Sequence, residues 1–126
     1  MVREILIRAG SVAIRARLLE TPTAARIWEA LPIYGAARTW GEEVYFHVTV
    51  SCPVEDDARA VMQAGEIAYW PDGEAVAIGF GRTPASRGDE IRLASACNVW
   101  AVAIDDVRQL ARVAAGDRMA LLHVDS

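Results

Sequence analysis

The stretch GEIAYWPDGEAVAIGF, residues 65–80, contains two short runs that are typical of β-strands. The runs are residues 66–69 and residues 75–80, and both are rich in aliphatic and aromatic side chains. Between them, residues 70–73 carry a proline and a glycine at positions that a tight β-turn requires. The stretch therefore predicts two adjacent strands joined by a tight turn.

Alternation of apolar and polar residues predicts further strands on both sides of this pair. In residues 43–50, the side chains of Val44, Phe46, Val48 and Val50 share one face. We expect this aliphatic face to meet the core, which leaves the other face to solvent. The remaining predicted strands are residues 4–8 and 12–17, which form a hairpin, and residues 98–104 and 119–124.

Two principal helices are predicted, one early in the chain and one late. For the first, Thr21 is a suitable cap, Pro22 fits the first helical position, and apolar residues recur at helical spacing until Pro32. The second helix is predicted to begin at Asp105 and to end at Gly116.

Two segments between these elements complete the pattern. Residues 56–63 are compatible with a short helix that ends at a glycine, and residues 82–93 form a long polar loop. A loop of this length in a compact domain is usually functional or mobile. About eight strands with two principal helices predict a mainly β fold, a closed antiparallel β-barrel capped by the helices.

Length, composition and charge narrow the classes of protein. A chain of 126 residues with 53% apolar residues corresponds to one globular domain, residues 1–126. Its net charge of −4 argues against a nucleic-acid partner, whose phosphates need a basic surface. No apolar run approaches the roughly 20 residues that span a bilayer, and no signal peptide is evident at the N-terminus. We therefore expect a cytoplasmic protein with no membrane partner.

Several residue types are too few or too scattered for common chemistries. All 13 basic residues are arginine, so a lysine Schiff base is excluded. Cys52 and Cys97 are expected to be free thiols. Together with His47 and His123 they show no ligand spacing, so we expect no metal site. Neither a phosphate-binding loop nor a dinucleotide fingerprint is present, and no cofactor is expected.

Four stretches of the chain look like parts of a known family. They are TPTAARIWEALP at residues 21–32, TWGEEVYF at 39–46, GEIAYWPDGEAVAIGFGRTPAS at 65–86 and ASACNVWAVA at 94–103. In these stretches the chain resembles the small, largely uncharacterised cyclophilin-like proteins of bacteria and archaea. The resemblance covers nearly the whole chain. It implies a cyclophilin-like closed antiparallel β-barrel of about eight strands with two capping helices.

The resemblance to cyclophilins proper is weaker at the place where their activity lies. Cyclophilins are peptidyl-prolyl isomerases, and an arginine that polarises the proline amide follows a Phe-His pair on a barrel strand. Here Phe46 and His47 are followed by Val48. An aliphatic residue in the arginine's place weighs against isomerase activity.

Polar and aromatic residues are densest in the stretches that carry the resemblance. Large aromatic rings next to a few fixed polar groups are what a small-ligand pocket needs. In such a pocket an arginine could bind a carboxylate or polarise an amide, and a buried glutamate could act as a general base. The candidate ligand-binding residues are Arg38, Trp40, Glu42, Glu43, Tyr45, Tyr69, Trp70, Arg82, Thr83, Ser86 and Asn98.

Each of these motifs also has a purely structural explanation. Residues 70–73 would then be a well-packed turn, and the carboxylates of residues 41–43 would bond backbone amides. Thr83 and Ser86 would only shape a turn, and Asn98 would bridge backbone segments. The sequence leaves both explanations open.

Three classes of function follow from these residues. The first is a protein, or an enzyme subunit, that binds a small carboxylate- or amide-bearing ligand in a pocket on the side of the barrel. It requires Trp40, Tyr69, Arg82 and Asn98 to converge on one concave surface. The second is a divergent prolyl isomerase, and the third is a scaffold or interaction module. The expected partner is a small molecule or a peptide, and a homo-oligomer stays open.

Overall fold

The described chain, residues 3–124 of a computed structural model, is built mainly of β-strands. The strands are β1 (Glu4–Ala9), β2 (Val12–Leu18), β3 (Ile33–Ala36), β4 (Arg38–Thr39), β5 (Glu43–His47), β6 (Arg59–Met62), β7 (Glu66–Trp70), β8 (Ala75–Gly79), β9 (Ile91–Ala103) and β10 (Arg118–His123). One α-helix, α1 (Pro22–Ala30), follows β2, and two 3₁₀ helices span Pro71–Gly73 and Val107–Arg112. In residues 3–124 no helix has the length and apolarity to cross a bilayer.

Nine strands form one antiparallel sheet that curls into a nearly closed barrel. Their order is β3-β10-β1-β2-β9-β7-β8-β5-β4, and β6 pairs with β9 off this path. The two end strands, β3 and β4, are separated only by Ala37. Gly35 of β3 also packs on β5, because a Cβ added there would lie 2.8 Å from Cδ2 of Phe46. The predicted antiparallel barrel is therefore confirmed.

Alternate residues of the strands fill the barrel interior. In the N-terminal hairpin, Ile5 and Ile7 pair with Ala16 and Ile14 across β1 and β2, and all four are fully buried. The aliphatic face of β5 turns inward as predicted. Ile27 of α1 joins the same apolar cluster, so the helix covers part of the core.

A second, smaller apolar cluster lies on the outer face of the sheet. The first half of β9, residues 91–97, runs beyond the barrel and pairs with β6; we call this segment the β9 arm. Leu93 and Cys97 of the arm pack with Met62 and Ala77 in this cluster. Gly79 permits the approach, since an added Cβ there would lie closer to Ile91 than van der Waals contact allows.

Two predicted elements differ in the structure. The helix predicted for residues 56–63 is wrong, because β6 pairs with the β9 arm and this long-range pairing overrides local preference. The late helix is a short 3₁₀ helix capped by Asp106, whose Oδ1 accepts from Arg108 N at 2.9 Å. Asp105 instead accepts from Arg15 N at 2.9 Å.

One strand begins earlier than predicted, and two short strands were not predicted. β9 begins at Ile91, so the loop predicted for residues 82–93 is shorter than expected. The short strands β3 and β4 were not predicted, because they have only four and two residues.

The buried hydroxyl group of Tyr69 ties the segment after β5 to the barrel. Tyr69 Oη donates to Val50 O at 2.7 Å and accepts from Cys52 N at 3.2 Å.

Both cysteines are buried free thiols.

Asn98 joins three parts of the chain from the second half of β9. Its Nδ2 donates to Thr23 Oγ1 at 3.0 Å and to Pro53 O at 2.9 Å, and its Oδ1 accepts from Glu55 N at 2.9 Å. Since Asn98 is fully buried, these bonds replace its hydration.

The substitution Asn98→Ala should lower the free energy of unfolding by about 3 kcal/mol, because it leaves buried partners unbonded and opens a small void. Urea unfolding followed by tryptophan fluorescence measures this loss. Arg108→Ala is the control, since it removes only an exposed ion pair with Asp106 and should leave stability almost unchanged. Equal stability of the two variants would contradict the role given to Asn98.

Candidate functional site

A cavity of about 240 Å³ lies between the outer face of the sheet and the β9 arm. Four of the predicted site residues line it, Trp40, Glu43, Tyr45 and Trp70. The other lining residues are Ala77, Leu93, Ala94 and Cys97. The cavity is thus largely apolar and aromatic, with one carboxyl group.

Strand alternation explains which side chains reach the cavity. Along β5, Val44 and Phe46 point into the barrel, so Glu43 and Tyr45 point outward. Tyr45 lies opposite Ala77 of β8 in the antiparallel register. Because alanine is small, it leaves the space beneath the arm unfilled.

The turn after β7 holds the indole ring of Trp70 in place. Trp70 Nε1 donates to Ser95 Oγ at 2.7 Å, and Ser95 Oγ donates to Asp72 Oδ2 at 3.2 Å. The ring also lies against Gly73, where an added Cβ would overlap it. The ring of Tyr45 stands at 87° to that of Trp70, with 6.4 Å between the ring centroids. The two rings therefore form fixed, perpendicular walls.

The carboxyl group of Glu43 is the most unusual feature of the cavity. Glu43 is only 6% exposed, and its Oε1 has no hydrogen-bond partner among the described residues. Burial raises the pKa of Glu43 to about 7. Near neutral pH this carboxyl group can therefore donate or accept a proton.

Cys97 lines the same cavity but is not a nucleophile at neutral pH. Burial, followed by the nearby charges of Glu43 and Asp72, raises the pKa of Cys97 to about 12. Its Sγ donates to Ser95 O at 3.4 Å. The group therefore stays a thiol, and nucleophilic attack needs the thiolate.

The expected convergence of Trp40, Tyr69, Arg82 and Asn98 is wrong. Tyr69 and Asn98 are fully buried within the fold, and their polar atoms are bonded to the segments that they tie down. The reason is strand geometry, because Tyr69 and Trp70 are consecutive in β7 and point to opposite faces. Arg82 is exposed and lies outside the lining of the cavity.

The remaining predicted residues lie around the cavity without lining it. Thr83 N donates to Ser86 Oγ at 2.9 Å, and Thr83 Oγ1 donates to Arg92 O, so these hydroxyls shape the loop before β9. Glu42 Oε1 accepts from Arg82 N at 3.2 Å. Their bonds match the structural explanation for these motifs.

Arg38 lies opposite a residue that lines the cavity. It is exposed on β4, and the antiparallel register places it opposite Tyr45. Residues opposite each other share a face of the sheet, so Arg38 stands beside the cavity without lining it.

Four lining residues were not predicted, and three of them carry no polar signal. Ala77, Leu93 and Ala94 are apolar, and Leu93 fell in a predicted loop. Recognising that the strand before Asn98 begins at Ile91 would have placed Leu93 and Cys97 on one face.

Glu43→Gln should change how stability depends on pH. The pKa of Glu43 is about 7 in the fold against an ordinary 4.5, so the folded state holds the proton more tightly. The stabilisation is present at low pH and is lost as pH rises from about 4.5 to 7. Between pH 5 and 8 the free energy of unfolding of the wild type should therefore fall by roughly 2 kcal/mol relative to Glu43→Gln.

Urea unfolding at pH 5 and pH 8 measures this difference. Glu42→Gln provides the matched control, because Glu42 is the adjacent carboxyl residue and is exposed. The control should follow the wild type. A Glu43→Gln variant that does the same would show that the carboxyl group is not held in the protonated form by burial.

Comparisons with known proteins agree with this architecture. The model of the cyclophilin-like family matches residues 3–122. The solution structure of the hypothetical protein AF2241 from Archaeoglobus fulgidus is similar, with 34% sequence identity and a TM-score of 0.83. That similarity covers 98% of this chain and 95% of the archaeal one. No curated protein is similar enough to count as a match. The chain therefore belongs to the cyclophilin-like family.

Proposed function

We propose that the protein binds a small ligand in the cavity beneath the β9 arm. The ligand places a nitrogen-bearing group, an amide N–H or a positively charged nitrogen, against Glu43. The observation that carries this proposal is the carboxyl group of Glu43, a residue that lines the cavity and whose Oε1 has no hydrogen-bond partner among the described residues. A buried acceptor without a partner destabilises the fold, so a bound donor is the simplest reason to keep it.

The cavity limits the size and character of the ligand. A volume of about 240 Å³ is below the usual range for drug-sized ligands, about 300–1,000 Å³. A small molecule or one side chain of a peptide fits. The walls formed by Trp40, Tyr45, Trp70 and Leu93 favour an apolar body.

Charge favours an amide or an amine over a carboxylate. Among residues 3–124, Glu43 supplies the only carboxyl group of the lining, and no arginine lines the cavity. A carboxylate ligand would meet the negative charge of Glu43 without a compensating cation. Arg38 and Arg82, the two arginines expected to bind a carboxylate, lie outside the lining. The absence of an arginine among the lining residues also gives no support to a prolyl isomerase.

Three probes of similar size test the proposal, N-methylpropionamide, butylamine and butyrate. NMR titration of the ¹⁵N-labelled protein should show the amide or the amine shifting backbone signals of Glu43, Tyr45 and Cys97. Butyrate should bind at least about tenfold more weakly, a difference of 1.4 kcal/mol.

Ala94→Phe tests whether the cavity is the site. Ala94 is exposed and lines the cavity, so a phenyl ring there should occlude it and abolish the shifts. Ala96→Phe is the matched control, because Ala96 is an exposed alanine of the same arm that does not line the cavity. Unchanged binding by Ala94→Phe, or no binding by any probe, would refute the proposal.

A further inference from the structure

We propose that the ligand group is a tertiary ammonium, an alkylated nitrogen that keeps one N–H, held between Trp40, Tyr45, Trp70 and Glu43. This inference rests on the proposed function, because it concerns the same cavity. It selects one chemical class from the nitrogen-bearing groups that Glu43 could bind.

Three aromatic side chains and one carboxyl group line the cavity. The faces of aromatic rings attract cations, most strongly where water is excluded. Trp40, Tyr45 and Trp70 all line the cavity, and Tyr45 and Trp70 stand at right angles. Glu43 adds a carboxyl group to the same lining, and no basic residue is part of it.

The apolar walls determine how far the nitrogen is alkylated. Glu43 is the carboxyl residue of the lining, and its Oε1 lacks a partner among residues 3–124. A primary ammonium has three donors, more than the two oxygens of one carboxylate can accept, so at least one would stay unbonded among aromatic walls. A tertiary ammonium has one donor for Glu43, and its alkyl groups contact the apolar walls.

The groups around Glu43 leave it as the charge that responds to pH. From the β9 arm, Cys97 faces it as a thiol, since burial raises the pKa of Cys97 to about 12. From β8, Ala77 and Gly79 bring no titratable group. Tyr45 lies on the same strand. His47, whose ring centroid is 6.2 Å from that of Tyr45, and the exposed Arg38 both stand outside the lining.

Three small probes separate charge from shape. They are N,N-dimethylethanolamine, its neutral isostere 3-methylbutan-1-ol, and ethanolamine, which has the charge without the methyl groups. At pH 8 the dimethyl amine should bind at least about tenfold more tightly than either of the others, as expected for a desolvated cation–π site. NMR titration measures all three dissociation constants.

Two variants assign the preference to the side chains that line the cavity. Glu43→Gln and Tyr45→Leu should each weaken binding of the dimethyl amine more than binding of the alcohol. The ¹⁵N spectrum of each variant shows that it is folded. Wild-type affinity for the dimethyl amine should rise about tenfold from pH 6 to pH 8 as Glu43 ionises, and should stay flat in Glu43→Gln.

The outcomes distinguish this inference from the proposed function. If the alcohol binds as tightly as the dimethyl amine and Ala94→Phe blocks both, the cavity is a ligand site but the ammonium assignment is wrong. A preference for ethanolamine, or an affinity that does not change with pH, also overturns the assignment. If none of the three probes binds, the assignment fails, and the amide probe then decides the proposed function.

Discussion

The antiparallel pairing of β9 holds together both the barrel and the cavity on its outer face. Its second half pairs with β2 and β7 and joins the two parts of the barrel. Its first half, the β9 arm, pairs with β6 and covers the outer face of the sheet. One continuous strand therefore builds both the wall of the core and the roof of the cavity, and it carries Asn98 on one and Cys97 on the other.

Short-range sequence patterns predicted two parts of this structure. The hairpin at residues 65–80 was predicted because a turn signal separates two apolar runs, and the inward face of β5 because apolar and polar residues alternate along it. β6 was mistaken for a helix, since its partner lies about 30 residues away along the chain. Trp40, Glu43, Tyr45 and Trp70, four of the eleven candidate residues, line the cavity. Tyr69 and Asn98 were not separable from them, because residue type does not tell which face of a strand is inward.

The cavity combines two features that reduce stability. Small side chains such as Ala77 leave space unfilled, and Glu43 places a carboxyl group where solvent does not reach. In the barrel interior, Tyr69 and Asn98 are buried with their polar atoms bonded. Among the described residues two buried side-chain atoms lack a hydrogen-bond partner, Trp100 Nε1 in the core and Glu43 Oε1 beneath the arm, and only Glu43 belongs to the lining of the cavity.

Gly79 has a consequence for motion. The close approach of Ile91 at this glycine, the pairing to β6 and the hydrogen bond from Trp70 Nε1 to Ser95 Oγ hold the β9 arm against the sheet. Any opening of the arm alone would set the rate at which its amide protons exchange with solvent. Deuterium uptake by the arm, compared with uptake by the second half of the same strand, would accordingly report whether the space beneath it is filled.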